Sequence, residues 1–197
     1  WHLGKGQRLD VGRGDGGYDA GEWRDTLRWT PAANANGTLN AFTIKAWDGA
    51  LASASAVQVQ VAVAAVSDTP TVAVPASFAV TEDVAGNLTF TGTPFADADS
   101  ATLTVTVSVT DGTITGDAGT GITVGGTATA RTFAGTIVDL NTYFTTAGKV
   151  TYQGALNATT SLTLTTAVSD GVLAASATST INFTAVNDAP TLVLGLA

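Results

Sequence analysis

The sequence predicts an all-β chain of antiparallel β-sandwiches, and three observations carry that prediction. Apolar residues recur at period two, turn dipeptides separate the runs, and long helix-forming stretches are missing. Val57, Val59, Val61 and Val63 alternate with Gln58, Gln60 and Ala62. Leu103, Val105, Val107 and Val109 alternate with Thr104, Thr106 and Ser108, and Leu162 and Leu164 with Thr163 and Thr165. Ile181 and Phe183 continue a last such run. Each places apolar side chains on one face and leaves Thr, β-branched and polar, on the wet one. Asn36-Gly37, Asp48-Gly49, Asp111-Gly112, Gly125-Gly126 and Asp170-Gly171 supply the reversals between strands. Only residues 139–144 read as a helical turn, with Asp139 as its cap. The uncharged stretch 49–67 approaches membrane length, but its Gln and Ser residues and its alternating Val mark a strand, so no membrane insertion is expected.

Composition narrows the chemistry. The 197 residues are 45% hydrophobic, enough for a buried core, and carry a formal net charge of −8. That sign excludes nucleic acid as a partner, since such binding needs a basic footprint. With no Cys and a single His, thiol chemistry and Cys/His zinc sites are excluded, and a Ser/His/Asp triad would have to use His2. Residues 1–48 hold six basic and six acidic side chains, so the whole −8 belongs to the remainder, where ten acids face Arg131 and Lys149. Fourteen of the sixteen acids are Asp, a turn former and a compact oxygen ligand for hard cations. Residue 1 is Trp and no signal pattern follows it, which suggests an excised piece of a longer chain.

An internal repeat sets the domain count. Phe42 to Trp47, Asp48-Gly49-Ala50-Leu51-Ala52, a Val-rich strand and Val66-Ser67-Asp68-Thr69-Pro70-Thr71 form one copy. The second runs through Leu162 to Ser169, Asp170-Gly171-Val172-Leu173-Ala174, an alternating strand and Val186-Asn187-Asp188-Ala189-Pro190-Thr191. The Asp-Gly pairs lie 122 residues apart and the Asp-X-Pro closures 120, a period that means tandem domains. The expected organisation is the C-terminal part of one sandwich at 1–66, a linker at 67–70, a complete sandwich at 71–186, a linker at 187–190, and the first strand of a further domain at 191–197.

Strand direction places the acids. Alternate strands of a sandwich run opposite ways, so alternate loops share an end. The domain entry before Pro70, the loop around 96–100 and the Asp170-Gly171 hairpin should share one end, bringing Asp68, Asp97, Asp99 and Asp170 together. Glu82 should lie at the other end with Asn187 and Asp188, where Asp111 is a further candidate. Carboxylates held together repel, and a divalent cation taking six to eight oxygens relieves that repulsion. The alternative is that Asp97 and Asp99 cap a loop and Asp188 makes a turn, with no metal bound.

Val186-Asn187-Asp188-Ala189-Pro190, together with Thr81-Glu82-Asp83, Asp97-Ala98-Asp99-Ser100, Asp170-Gly171 and the segment from Asp139-Leu140-Asn141 to Val150-Thr151-Tyr152, resembles the bacterial cadherin-like repeat. Trp29-Thr30-Pro31 through Ala46-Trp47-Asp48-Gly49 is similar to its variant with Trp in the last strands. Such repeats occur in tandem in large secreted RTX-type adhesins. The resemblance therefore implies cadherin- or immunoglobulin-like sandwiches, a location outside the cell or on its surface, cell adhesion, and neighbouring repeats as partners. It also implies calcium between successive domains, held by Asp68, Asp97, Asp99 and Asp170 at the first junction and by Glu82, Asn187 and Asp188 at the second. Ser67 replaces the Asn of the second linker, and the Asp-Arg-Glu motif of animal cadherins is missing.

Other motifs point elsewhere. Gly12-Arg13-Gly14-Asp15-Gly16-Gly17 satisfies G-x-G-x-x-G but opens no helix, so it reads as a loop; it also contains the Arg-Gly-Asp tripeptide. Gly16-Gly17-Tyr18-Asp19 has the character of a calcium nonapeptide, but it occurs once. Trp1, Trp23, Trp29 and Trp47 could present a sugar-stacking face, although Trp29 and Trp47 sit at repeat positions expected to pack in the core; binding of a cell-surface glycan or protein receptor by the N-terminal part is the alternative function. A carboxylate-pair glycosidase needs two acids flanking a cleft, and the acids here fall in linkers and loop ends, so no enzyme is expected. The apolar stretch 191–194 could pair with an open sheet edge of another copy, a strand exchange through 191–197.

Overall fold

In a computed structural model, residues 8–12, 26–46 and 50–190 of the chain are described. The chain divides into two units, Trp1–Val66 and Ser67–Ala197. Among the described residues there is one helix, and the fold is otherwise β, as the alternation predicted. Among the described residues no helix is long and apolar enough to cross a membrane.

The first unit contains two antiparallel pairs. Strand β1 (Arg8–Gly12) pairs with β2 (Thr26–Thr30), and β3 (Gly37–Ile44) with β4 (Val57–Val63). Val59, Val61 and Val63 are half-buried while Gln58 and Gln60 are exposed, as period two requires. The register slips between Asn40 and Phe42, and Ala41 at the slip is buried. Gln60 donates to the Asn40 side chain across the pair at 2.9 Å. One expected reversal is corrected: Asn36-Gly37 is not the turn of a hairpin. The chain bends at Ala32–Ala35, where Ala35 N–H donates to the Ala32 carbonyl and Asn34 is left-handed at φ 59°, and Gly37 opens β3. Asp48-Gly49 and Trp47 lie outside the described residues, as do Trp1, Trp23 and the glycine-rich loop at 13–17.

The second unit builds one core from several sheets. Its short strands β5 (Thr71–Val72) and β8 (Phe95–Ala96) pair with each other. Six strands form the largest sheet, in the order β11 (Ile122–Gly126), β12 (Ala130–Thr136), β9 (Thr102–Ser108), β14 (Leu162–Ser169), β15 (Ala174–Thr184) and β6 (Ser77–Thr81). Three more form a second sheet, β10 (Thr113–Gly116), β13 (Val150–Gln153) and β7 (Gly86–Asn87). Leu103, Val105, Val107, Phe133, Leu164, Val168 and Ile181 from the first sheet meet Ile114, Val150 and Tyr152 from the second in a single apolar cluster. The antiparallel expectation needs one correction: β15 and β6 run parallel, from Thr180↔Ser77 to Thr184↔Thr81. Almost the whole unit lies between these two strands in the chain, so no hairpin constrains their direction.

Helix α1 (Ile137–Thr145) is longer than the single turn expected, and its cap is Thr136 rather than Asp139. The Asp139 N–H donates to Thr136 Oγ1 at 3.1 Å, while the Thr136 hydroxyl donates to the Asp139 carboxylate at 2.7 Å. That reciprocal pair satisfies an orphan donor of the first turn and leaves an acid where the helix dipole favours one. Leu140, Tyr143 and Phe144 face inward at the i, i+3, i+4 spacing of a buried helical face. The Phe144 ring lies edge-on to Phe90, Phe95 and Phe133 with centroids 5.1, 5.0 and 5.1 Å away, a favourable aromatic geometry.

Candidate metal centre

The entry end of the second unit is set by β5 and β8. Thr71 pairs with Ala96 and Val72 with Phe95, so extending that register outward brings the residues before Pro70 against those after Ala96. The Asp68 N–H accordingly points at the Asp99 carboxylate, 3.3 and 3.4 Å from its two oxygens. The β14–β15 hairpin turns at the same end, and the Ser67 hydroxyl donates to Asp170 Oδ2 at 3.0 Å.

Asp97, Asp99 and Asp170 converge here. Each offers a carboxylate oxygen, and these oxygens all lie within 4.8 Å of one another. Local backbone fixes two of the three. Asp97 Oδ1 accepts the N–H groups of Asp99 and Ser100 at 3.0 and 2.7 Å, and Asp170 Oδ1 accepts those of Val172 and Leu173 at 2.7 and 2.6 Å. Those turns explain why Asp was needed at both places, because its short carboxylate reaches the amides two and three residues on. Asp97 Oδ2 is buried and has no hydrogen-bond partner among the described residues.

The charges respond as crowded carboxylates should. Burial raises the Asp97 pKa, but the Ser100 and Asp99 amides outweigh it and hold the group below its ordinary 3.8. Asp99 is pushed above 3.8, first by the Asp97 carboxyl beside it, with which a proton on Asp99 would be shared, and then by burial and the charges of Asp97 and Asp68. The Leu173 and Val172 amides pull Asp170 below 3.8. No Lys or Arg contributes to any of these shifts. The arrangement can therefore accept a hard cation: oxygen donors, prepaid positioning, and repulsion for a cation to relieve.

Of the seven residues expected to hold metal, the structure brings Asp97, Asp99 and Asp170 together and sets Asp68 beside them through its main chain. Glu82 has a different local role. It is 2% exposed, its Oε1 accepts the Val186 N–H, and its own N–H donates to the Thr184 carbonyl at 3.0 Å. It fastens the end of β15 to the end of β6, with Oε2 buried and unpartnered. Asn187 and Asp188 follow directly and are exposed. Asp111 caps its own turn, Oδ1 accepting the Gly112 N–H at 2.8 Å, and its carbonyl accepts the Tyr152 hydroxyl at 3.2 Å. No group of three carboxylates forms at this end among the described residues. Sequence reading missed two contributors, the Ser67 hydroxyl on Asp170 and Asn141, whose amide bonds both the N–H and the carbonyl of Phe95 just ahead of the Asp97 turn at 2.9 Å each. The Ser67 contact had a signal in the pairing of the two linkers; the Asn141 contact had none.

No protein-family model and no curated protein matches the chain. Among solved structures it is similar to the endo-fucoidan hydrolase MfFcnA4 of glycoside hydrolase family 107, at 15% identity and a TM-score of 0.31, covering 92% of this chain and 24% of that one. A second member of that family, MfFcnA9, is similar at 14% identity and a TM-score of 0.29, over 90% of this chain and 28% of the other. The chain thus spans about a quarter of the length of each. These names correct the expectation that no enzyme is involved, which is withdrawn. Likeness at this level assigns no substrate and no catalytic residue to this chain.

Proposed function

We propose that the chain is a structural and adhesive segment of a large extracellular or cell-surface protein, built of β-sandwich repeats similar to the bacterial cadherin-like kind. Calcium bound by Asp97, Asp99 and Asp170 orders the chain where it enters the second unit, and neighbouring repeats of the same chain are the partners. One observation carries this reading: three carboxylates lie within 4.8 Å at the point where Ser67 and Asp68 begin the unit. Two of them are held by backbone amides, and the third is crowded enough to be shifted toward its protonated form. The recurrence of Val-X-Asp-X-Pro-Thr at 66–71 and 186–191 supports repeats in tandem. Glu82, Asn187 and Asp188 serve the corresponding exit, where a following repeat would supply the remaining oxygens.

Calorimetric titration of the whole chain with calcium tests the site. Binding heat should appear for the natural sequence and vanish when Asp97→Ala and Asp99→Ala are combined. Solution scattering with and without chelator tests the mechanical role, because calcium should lengthen and stiffen the particle. A chain that takes up no calcium, or the same heat from the double variant, would end the proposal.

A further inference from the structure

Asn36-Gly37 finds no role in the site or in a hairpin, and its surroundings suit a covalent reaction. Of the eight asparagines in the chain, Asn36 alone is followed by glycine. It is exposed, lies between the bend at Ala32–Ala35 and the start of β3, and no hydrogen bond holds its side chain among the described residues. Gly37 has φ +83°, and even a Cβ placed on it would meet nothing within 4 Å, so neither a side chain nor a neighbouring group crowds the peptide on that side. The other asparagines differ: Asn34 and Asn87 are followed by Ala35 and Leu88, which carry side chains. Asn141 is locked onto Phe95 by both amide atoms, Asn40 is tied to Gln60, and Asn157, Asn182 and Asn187 precede residues with side chains that crowd the following nitrogen.

We propose that Asn36-Gly37 is a self-modifying site at which the asparagine deamidates through a cyclic imide. The Gly37 main-chain nitrogen attacks Asn36 Cγ, a new bond between them closes the five-membered ring, and the bond from Cγ to Nδ2 breaks. The proton lost by the Gly37 nitrogen leaves with the departing amide as ammonia. Water, the only co-reactant, then adds to either ring carbonyl and opens it to an aspartyl or an isoaspartyl linkage. Both products gain a negative charge, and the isoaspartyl product inserts a methylene into the main chain. That insertion falls beside the terminal Gly37↔Val63 pair of the β3–β4 ladder, at the end of β4 that leads toward residue 67. The reaction is thus a slow, one-way change of covalent geometry at the last rung before the chain leaves the first unit.

The test is to hold the whole 197-residue chain at mildly alkaline pH and follow each asparagine by peptide mapping, with aspartyl and isoaspartyl forms resolved. Asn36 should convert an order of magnitude faster than Asn157 or Asn187, with the isoaspartyl form present among the products. Conversion of Asn36 no faster than Asn187 would overturn the proposal. Gly37→Ala should slow it severalfold. Because that variant strains a left-handed position, Asn36→Gln provides the second control: its side chain is exposed and unbonded, so the fold should persist while the modification at 36 disappears. Equal charge gain in this region from the Gln variant would also overturn the assignment.

Discussion

At the scale of single residues, two buried polar side chains have opposite consequences. Thr166 is wholly buried on the core side of β14, between Leu164 and Val168, and its hydroxyl has no partner among the described residues. An unsatisfied buried hydroxyl costs free energy, and valine fills nearly the same shape without it. Thr166→Val should therefore raise stability by about 1 kcal/mol, read as a higher urea midpoint with an unchanged slope. A lower midpoint would show that the hydroxyl has a partner in solution. Glu82 is buried too, but its Oε1 holds the Val186 N–H and its removal frees the end of β15. Glu82→Ala should cost about 2 kcal/mol, typical of a lost buried hydrogen bond plus the void left behind. Hydrogen exchange at Val186 should accelerate in parallel, and unchanged protection there would refute the fastening role.

At the scale of elements, α1 is the piece that links the core to the entry turn. Phe144 anchors it among four aromatic rings, and Asn141 stands in for a missing strand neighbour by bonding both main-chain groups of Phe95. Asn141→Ala leaves a donor and an acceptor of a buried residue unpaired, so it should cost roughly 2–3 kcal/mol. Thr136→Ala, which removes only the cap, should cost about 1 kcal/mol. Urea unfolding ranks the two, and a larger loss at the cap would contradict this account of what holds the helix. The strands around α1 were legible because their period-two alternation is a local property of the sequence, whereas the burial of Thr166 on the face of Leu164 was not read, because Thr was assigned to the wet face. The helix was half-legible. Its Ile137, Val138 and Thr142 are weak helix formers, and tertiary burial of Leu140, Tyr143 and Phe144 decides its length. The parallel β15–β6 pair was not legible, since it joins residues about a hundred positions apart with no turn between them to fix their direction. The convergence of Asp97, Asp99 and Asp170 could be read because hairpins and loop ends follow from strand order. The contact of Asn141 could not, because it depends on side-chain geometry.

At the scale of the molecule, the two units carry separate spectroscopic reporters, which lets the acidic end be tested in the intact protein. All four Trp fall within 1–47, in the first unit together with Tyr18, while Tyr143 and Tyr152 lie in the second, so Trp reports on the first unit alone and a Tyr change without a Trp change reports on the second. Asp97 and Asp170 have lowered pKa values, so their contribution to stability is present above the ordinary 3.8 and is lost as pH falls through their folded values. Asp99 has the opposite sign. Its raised pKa means that its contribution is present below 3.8 and is lost as pH rises through the folded value. Near neutral pH the cation-free unit therefore carries Asp99 as a disfavoured carboxylate, and an ion bound by the trio removes that penalty. With chelator, unfolding followed through Tyr should show stability slipping as pH rises just above 3.8. With calcium at about a hundred times its dissociation constant, the slip should disappear and the unit should gain about 2.7 kcal/mol near pH 7. Asp99→Asn should remove both the slip and the calcium response, while the Trp signal of the first unit stays where it was. If calcium moved the Trp transition instead, or if the Asn variant kept the full response, the ion would be binding somewhere other than at these three carboxylates, and the acidic end would be only a set of capped turns.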